Sequence, residues 1–435
     1  MNSRFKRWRW QTFCITWLVY ASYYLTRKSF GVVKIAFASA PGIGLTREQL
    51  GLIDSAFLGT YLIGQFLFGP LADRFGGRIV LLVGLTLSVL AGTANGFAGT
   101  ATAFLVFAAL QGIAQSTGWT GTLKIMGAWF SLGERGRVLG WWCTNYTVGT
   151  AAASPFAAWL MDEFGRASES GGGPAVPMWQ AAFWGPAAAL AVIIPVMWFG
   201  LRNSPEEAGL PPLAEYQGGE TQDLDDRSAV DARGHSWAAI WHVLTSTEIW
   251  LLAFAYLPVK LARYSLEFWG PQYVAESLGS SAFASTLVAA WLPIGGFVGV
   301  IASGYVSDKL FQSRRAPVVI ISLCAAAALL LIGRYHVSNV WTMRVFFFFV
   351  GLFLYGPDSL LAGTAAIDFG LKSGTGAAVG FINGIGSVGA VLGGYLPGVI
   401  TTSTDWSALF VVSLIGLIAS AVLLTPLWNR RPVFD

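Results

Sequence analysis

Runs of about 20 apolar residues recur twelve times along the chain, separated by short polar or Gly/Pro-rich turns. A helix of about 20 residues crosses a bilayer core about 30 Å thick. The pattern therefore predicts an all-α polytopic membrane protein with spans near 13–37, 50–71, 79–98, 102–126, 138–160, 178–200, 249–271, 284–305, 317–334, 341–364, 375–399 and 406–428. One long polar insert carries Pro205, Pro211, Pro212 and the acidic run Asp223, Asp225 and Asp226, the composition of a hydrated linker. It divides the chain into a six-helix half over 1–201, a linker over 202–236 and a second six-helix half over 237–435.

Composition narrows the class further. Of 435 residues, 54% are hydrophobic and 11% charged, against about 25% charged in a soluble domain, which excludes an ordinary water-soluble globule. With the N-terminus inside, predicted inner segments hold fifteen Lys and Arg, and outer segments hold four: Arg47, Arg166, Arg334 and Arg344. By the positive-inside rule both termini and the linker are expected in the cytoplasm, as in a bacterial inner-membrane protein. The net charge of +4 is then an orientation signal, and no nucleic-acid partner is expected. Cys14, Cys143 and Cys324 sit in apolar runs without paired spacing and are expected to be core residues. His235, His242 and His336 fall in loops or at span ends, and there is no nucleophile, metal or phosphate-loop motif. Neither enzymatic activity nor a cofactor is expected.

The two halves repeat each other. Gly69-Pro70-Leu71-Ala72-Asp73-Arg74 is echoed by Gly304-Tyr305-Val306-Ser307-Asp308-Lys309, at an offset of 235 residues. Tyr20 and Tyr256, and Arg27 and Arg263, lie 236 apart; Asn145 and Asn383 lie 238 apart. A consistent, slowly drifting offset is the mark of a duplication giving parallel repeats. Asp73, Arg74 and Asp308 follow equivalent spans, where they read either as latches between neighbouring helix ends that gating breaks and remakes, or as topology-setting turns.

Charges inside spans are costly and normally face a cavity or a partner. Tyr20, Tyr24, Arg27, Gly31 and Lys34 share one helix face, and Tyr256, Lys260, Arg263 and Glu267 share another. Repeat-related arginines are expected to face each other near the midplane, where such carriers bind substrate. Each guanidinium presents a planar fork matched to phosphate oxygens, so the pair suits a phosphate monoester, with Tyr20, Tyr24 and Tyr256 as further donors. The alternatives are a structural pair between Arg263 and Glu267 and, for Arg27, snorkelling to the interface. Asp54 and Asp358 read either as proton carriers or as fixed partners of Lys28, Lys34 or Lys260.

The segment Tyr23-Tyr24-Leu25-Thr26-Arg27-Lys28-Ser29-Phe30 resembles the organophosphate:phosphate antiporter family of the major facilitator superfamily. Further matches are Gly118-Trp119, Glu134-Arg135-Gly136, Asn203-Ser204-Pro205-Glu206 with Gly209-Leu210, Arg263-Tyr264 with Trp269-Gly270-Pro271, and Tyr355-Gly356-Pro357. The resemblance implies the major facilitator fold, two six-helix parallel repeats around a central cavity, with Arg27 and Arg263 as phosphate ligands. It also implies rocker-switch exchange of an organophosphate for inorganic phosphate. Gln65 stands where bacterial members carry Lys, and Tyr146 where they carry His. The expected substrate-binding set is thus Tyr20, Tyr24, Arg27, Gln65, Trp119, Tyr146, Tyr256, Lys260, Arg263 and Asp358. The expected function is secondary transport of glycerol phosphate, sugar phosphate or phosphoglycerate by a monomer. The alternatives are a proton-coupled organic anion carrier and a membrane sugar-phosphate sensor.

Overall fold

The structure is a computed structural model that describes residues 3–39, 44–131, 138–169, 178–216, 241, 245–336, 339–364 and 375–430. Glu134-Arg135-Gly136, Asp368, Lys372 and most of the linker lie outside these residues. The described chain contains helices and no strand. The first half supplies α1 (Ser3–Ser39), α2 (Arg47–Phe75), α3 (Gly77–Asn95), α4 (Ala101–Trp129), α5 (Thr144–Glu169) and α6 (Ala181–Gly200). The second supplies α7 (Thr247–Leu278), α8 (Ala282–Ala289), α9 (Trp291–Lys309), α10 (Arg315–His336), α11 (Val340–Ser359), α12 (Thr375–Ser403) and α13 (Trp406–Leu424).

Each predicted span is met by helix, with two interruptions. Residues 138–142 form a separate helical turn before α5, and the predicted eighth span is divided into α8 and α9. Pro293 lacks the N–H that would bond back to Ala289, which accounts for the second break. Polar caps fix several starts, because the first N–H groups of a helix have no intrahelical acceptor. Thr100 accepts from Ala103 N, Ser246 from Ile249 N, and Asp405 from Ser407 N and Ala408 N. Asn339 and Thr342 form a reciprocal capping box at α11.

The chain divides into two compact units, one comprising residues 1–45, 56–226 and 281–286, the other residues 46–55, 227–280 and 287–435. Within the first, α1 packs on α5 and α6, and α3 on α4 and α6. Its core is aromatic, with Tyr20, Tyr23, Trp129 and Trp142 buried among Leu81, Leu85 and Leu190. Within the second, α7 packs on α12, α9 on α11, and α10 on α11 and α13. The pairings α1·α5 and α3·α6 recur as α7·α12 and α10·α13, as a duplication requires. Glycine allows the closest of these approaches. A Cβ at Gly389 of α12 would lie 2.0 Å from the Leu257 carbonyl oxygen of α7.

The outer surfaces are apolar. Phe66, Leu90, Phe97, Phe199, Ile301 and Val422 are exposed, and nine helical segments among the described residues are long and apolar enough to cross a membrane. Cys14 and Cys324 are exposed too, correcting the expectation that they lie in the core, while Cys143 is half-buried. An apolar run does not separate core-facing from lipid-facing positions, because both surroundings are apolar.

Candidate functional site

The first unit carries the Arg27 group. Arg27 projects from α1, and its Nε donates to Gln115 Oε1 on α4 at 2.7 Å. Gln115 is itself fixed, because its amide nitrogen donates to Thr26 Oγ1 at 3.0 Å and to the Tyr23 carbonyl at 3.2 Å. Gln111, one turn earlier on α4, donates to the same threonine at 2.8 Å. The guanidinium carbon stands 4.5 Å from the Tyr24 ring centroid and 5.0 Å from that of Tyr61 on α2. Such cation–π contacts fix the plane of the fork and hold its charge where water is scarce.

Below Arg27 the site is walled by aromatics. Tyr20 packs against Tyr24, Trp119 and Trp142, with ring centroids 5.4 to 6.0 Å apart. Trp119 also meets Trp142 at 5.8 Å, and Tyr146 is half-buried against the same cluster. Gly118 makes room for this packing, since a Cβ there would lie 2.9 Å from the Tyr23 ring. The Tyr23 hydroxyl is within hydrogen-bond distance of Thr117 Oγ1, 2.9 Å away. Gln65 is half-buried on α2, one turn beyond Tyr61. Lys28 and Lys34 are buried.

The second unit answers with Arg263, which has two carboxylates beside it. Arg263 Nη1 meets Asp358 Oδ2 of α11 at 2.6 Å, and Nη2 lies 3.6 Å from Glu267 Oε2 one turn along α7. Its guanidinium carbon sits 4.1 Å from the Tyr355 ring centroid, and the Tyr355 hydroxyl donates to Glu267 at 3.4 Å. Tyr256 donates to Asp358 Oδ1 at 3.0 Å. Lys260 donates to Ser387 Oγ of α12 at 3.2 Å and lies 4.7 Å from the Tyr256 ring centroid. Gly386 admits the Tyr256 ring, for a Cβ there would approach it to 2.4 Å.

The Arg263–Glu267 pair exists, and the ion-pair partner of Asp358 is Arg263 rather than Lys260. Asp54 is buried. Gln115, Tyr61 and Ser387 enter these groups without having been singled out from the sequence, and Tyr355 had been read only as part of Tyr355-Gly356-Pro357. Each is a polar or aromatic residue in an apolar run, and only the fold brings it beside an arginine.

The loop acids each tie two helix ends. Asp73, at the end of α2, receives Lys124 Nζ of α4 at 2.6 Å, and Arg74 lies over the Phe75 ring. Asp308, at the end of α9, pairs with Arg315 at the start of α10. Asn203 accepts from Arg78 N at 2.8 Å and is held by Glu207. Gly209 ends the following turn at φ 68°, a left-handed conformation that favours glycine.

Comparison with known proteins gives the family. The Major Facilitator Superfamily model matches residues 16–357. The chain is 30% identical to "Membrane sensor protein UhpC" of Escherichia coli, covering 99% of this chain and 94% of that protein. It is 26% identical to the "Probable hexose phosphate transport protein" of Chlamydia trachomatis, covering 99% and 93%. Among solved structures, a bacterial homolog to the human lysosomal transporter Spinster, inward-facing and unoccupied, superposes with a TM-score of 0.72. That match has 16% identity and covers 97% of this chain and 95% of the other.

Proposed function

Because the chain belongs to the major facilitator superfamily, we propose that it is a secondary active transporter of small phosphorylated metabolites, working by alternating access. The observation that carries this reading is the arginine at the same place in each repeat, on α1 and on α7, each stacked against a tyrosine ring, Tyr24 of α1 and Tyr355 of α11. In the first unit the Gln115 amide oxygen accepts from Nε and so orients the guanidinium fork, the kind of group from which phosphate oxygens accept bidentately. Tyr20, Tyr24, Trp119 and Tyr146 form the wall beside Arg27, with Gln65 further along α2. Tyr256 and Lys260 supply donors beside Arg263. A relative named for hexose phosphate transport supports the substrate class.

Inorganic phosphate is the counter-substrate in this reading, and the protein acts as a monomer in the bacterial inner membrane with both termini in the cytoplasm. Asp73 with Lys124, and Asp308 with Arg315, serve as the gating latches. The test is uptake of labelled phosphate, glycerol phosphate and hexose phosphates into proteoliposomes preloaded with phosphate. Uptake of at least one, blocked by unlabelled phosphate, is expected; no uptake of any would refute the reading.

A sensor is the second reading, favoured by the relative named as a membrane sensor. It predicts saturable binding of a sugar phosphate by the purified protein with no translocation in the same vesicles.

A further inference from the structure

We propose that the first unit carries a binding site for an anionic phospholipid at the start of α1, independent of what the protein transports. A groove of about 760 Å³ runs along this end of α1. Its far wall is formed by Phe130, at the end of α4, and by Trp141 and Thr144, at the entry to α5. All its lining residues belong to the first unit, and none of them is Arg27 or a residue that touches it. From α1 come Lys6 and Arg9 at one end of the groove and Trp17 at the other.

The two ends call for different chemistry. Lys6 is exposed, and the Arg9 guanidinium carbon lies 4.6 Å from the Phe130 ring centroid. Among the described residues that line the groove these two cations meet no carboxylate. Further along, the polar atoms are already engaged with one another. Thr144 Oγ1 accepts from the Trp17 indole N–H at 2.9 Å and donates to the Trp141 carbonyl at 2.8 Å. A soluble phosphorylated metabolite lying there would bury its hydroxyls against aromatic rings without partners, which is costly. A molecule with an anionic head and an apolar tail matches both ends.

The groove also lies at the depth of a lipid headgroup. Lys6 and Arg9 precede by two turns and one turn the position near 13 where the first apolar run begins. Arg4 Nη2 donates to the Ala208 carbonyl at 3.2 Å, which ties the start of α1 to the polar turn after α6. Trp10 and Trp141 are 68% and 70% exposed, as befits the aromatic belt at a membrane interface. From Arg9 to Trp17 the helix rises about 12 Å, which gives an acyl chain a wall to lie against once its head group is held by the cations. Basic pockets between spans take anionic head groups in this way.

Native mass spectrometry of the full chain purified in detergent, with phosphatidylglycerol and phosphatidylcholine added in turn, tests the site. The parent should retain phosphatidylglycerol at least about tenfold better, and excess glycerol phosphate should not displace it. The double variant Lys6→Gln, Arg9→Gln should bring that preference to within about twofold. Lys6→Gln alone, at an exposed position, should lower it severalfold with the thermal midpoint unchanged, so the test stands even if the double variant fails to fold. Cys14 follows the tail, because it lines the groove and is exposed. Phosphatidylglycerol at saturating retention should slow its alkylation at least about threefold, while the exposed Cys324 of the second unit keeps its rate. Equal retention of the two lipids by the parent would overturn the proposal, as would a preference undiminished in Lys6→Gln or an unprotected Cys14. Displacement by glycerol phosphate would also overturn it, since the groove would then be a site for a soluble phosphate.

Discussion

Gln115 makes the sharpest demand on the Arg27 group. It is fully buried on α4, and its side chain joins Arg27 Nε, Thr26 Oγ1 and the Tyr23 carbonyl. Replacing it by Leu keeps the volume and removes the acceptor that aims the guanidinium. A hydrogen bond to a charged group contributes about 1.5–3 kcal/mol, so phosphate affinity should fall about tenfold to 150-fold if that orientation is spent on binding. The helix contact should survive, because Gln111 still donates to Thr26. Gln115→Glu should be worse for binding despite its better geometry. It would place a carboxylate beside Arg27, as Asp358 stands beside Arg263, and so compete with phosphate. The assay is equilibrium binding of labelled phosphate to detergent-purified protein, with the thermal midpoint recorded in parallel. Binding by Gln115→Leu within twofold of the parent, or tighter binding by Gln115→Glu, would refute the reasoning.

Two further predictions concern packing and the loops. Gly389→Ala must force α12 away from the Leu257 carbonyl, which its Cβ would meet at 2.0 Å. Overpacking of this kind costs about 1–3 kcal/mol, so a lower thermal midpoint with reduced transport is expected, and an unchanged midpoint would show that the helices accommodate it. Lys124→Ala breaks a pair whose side chains are 51% and 68% exposed, a class worth about 0.2–1 kcal/mol. Its thermal midpoint should barely move while phosphate exchange slows severalfold at unchanged affinity; exchange at the parental rate would reduce the Asp73 loop to a turn.

The spans were legible because lipid sets both their length and their composition, and Phe199 and Val422 confirm which kind of surface that is by lying exposed. The duplication was legible because Asp73 and Asp308, or Arg27 and Arg263, keep nearly one offset. Arg27 and Arg263 stood out because a charge within a span needs a reason. What surrounds them did not stand out. Asp358 lies 95 residues from the arginine it meets, and nothing in its local sequence distinguishes Arg263 from Lys260 as its partner. Gln115 and Tyr61 sit in runs where a polar or aromatic residue is unremarkable until α2 and α4 bring them to Arg27. The exposed Cys14 and Cys324 mark the same limit from the other side. Hydrophobicity says that a residue avoids water without saying whether protein or lipid replaces it.

Arginine at position 27 is the centre of the account, and Arg27→Lys tests it most directly. Lysine preserves the charge and removes the fork together with the bond that Gln115 makes at Nε. Titration of purified Arg27→Lys with inorganic phosphate, followed by calorimetry, should show affinity weakened about a hundredfold or more relative to the parent. Parental affinity in a folded variant would contradict the phosphate-binding role assigned to this residue.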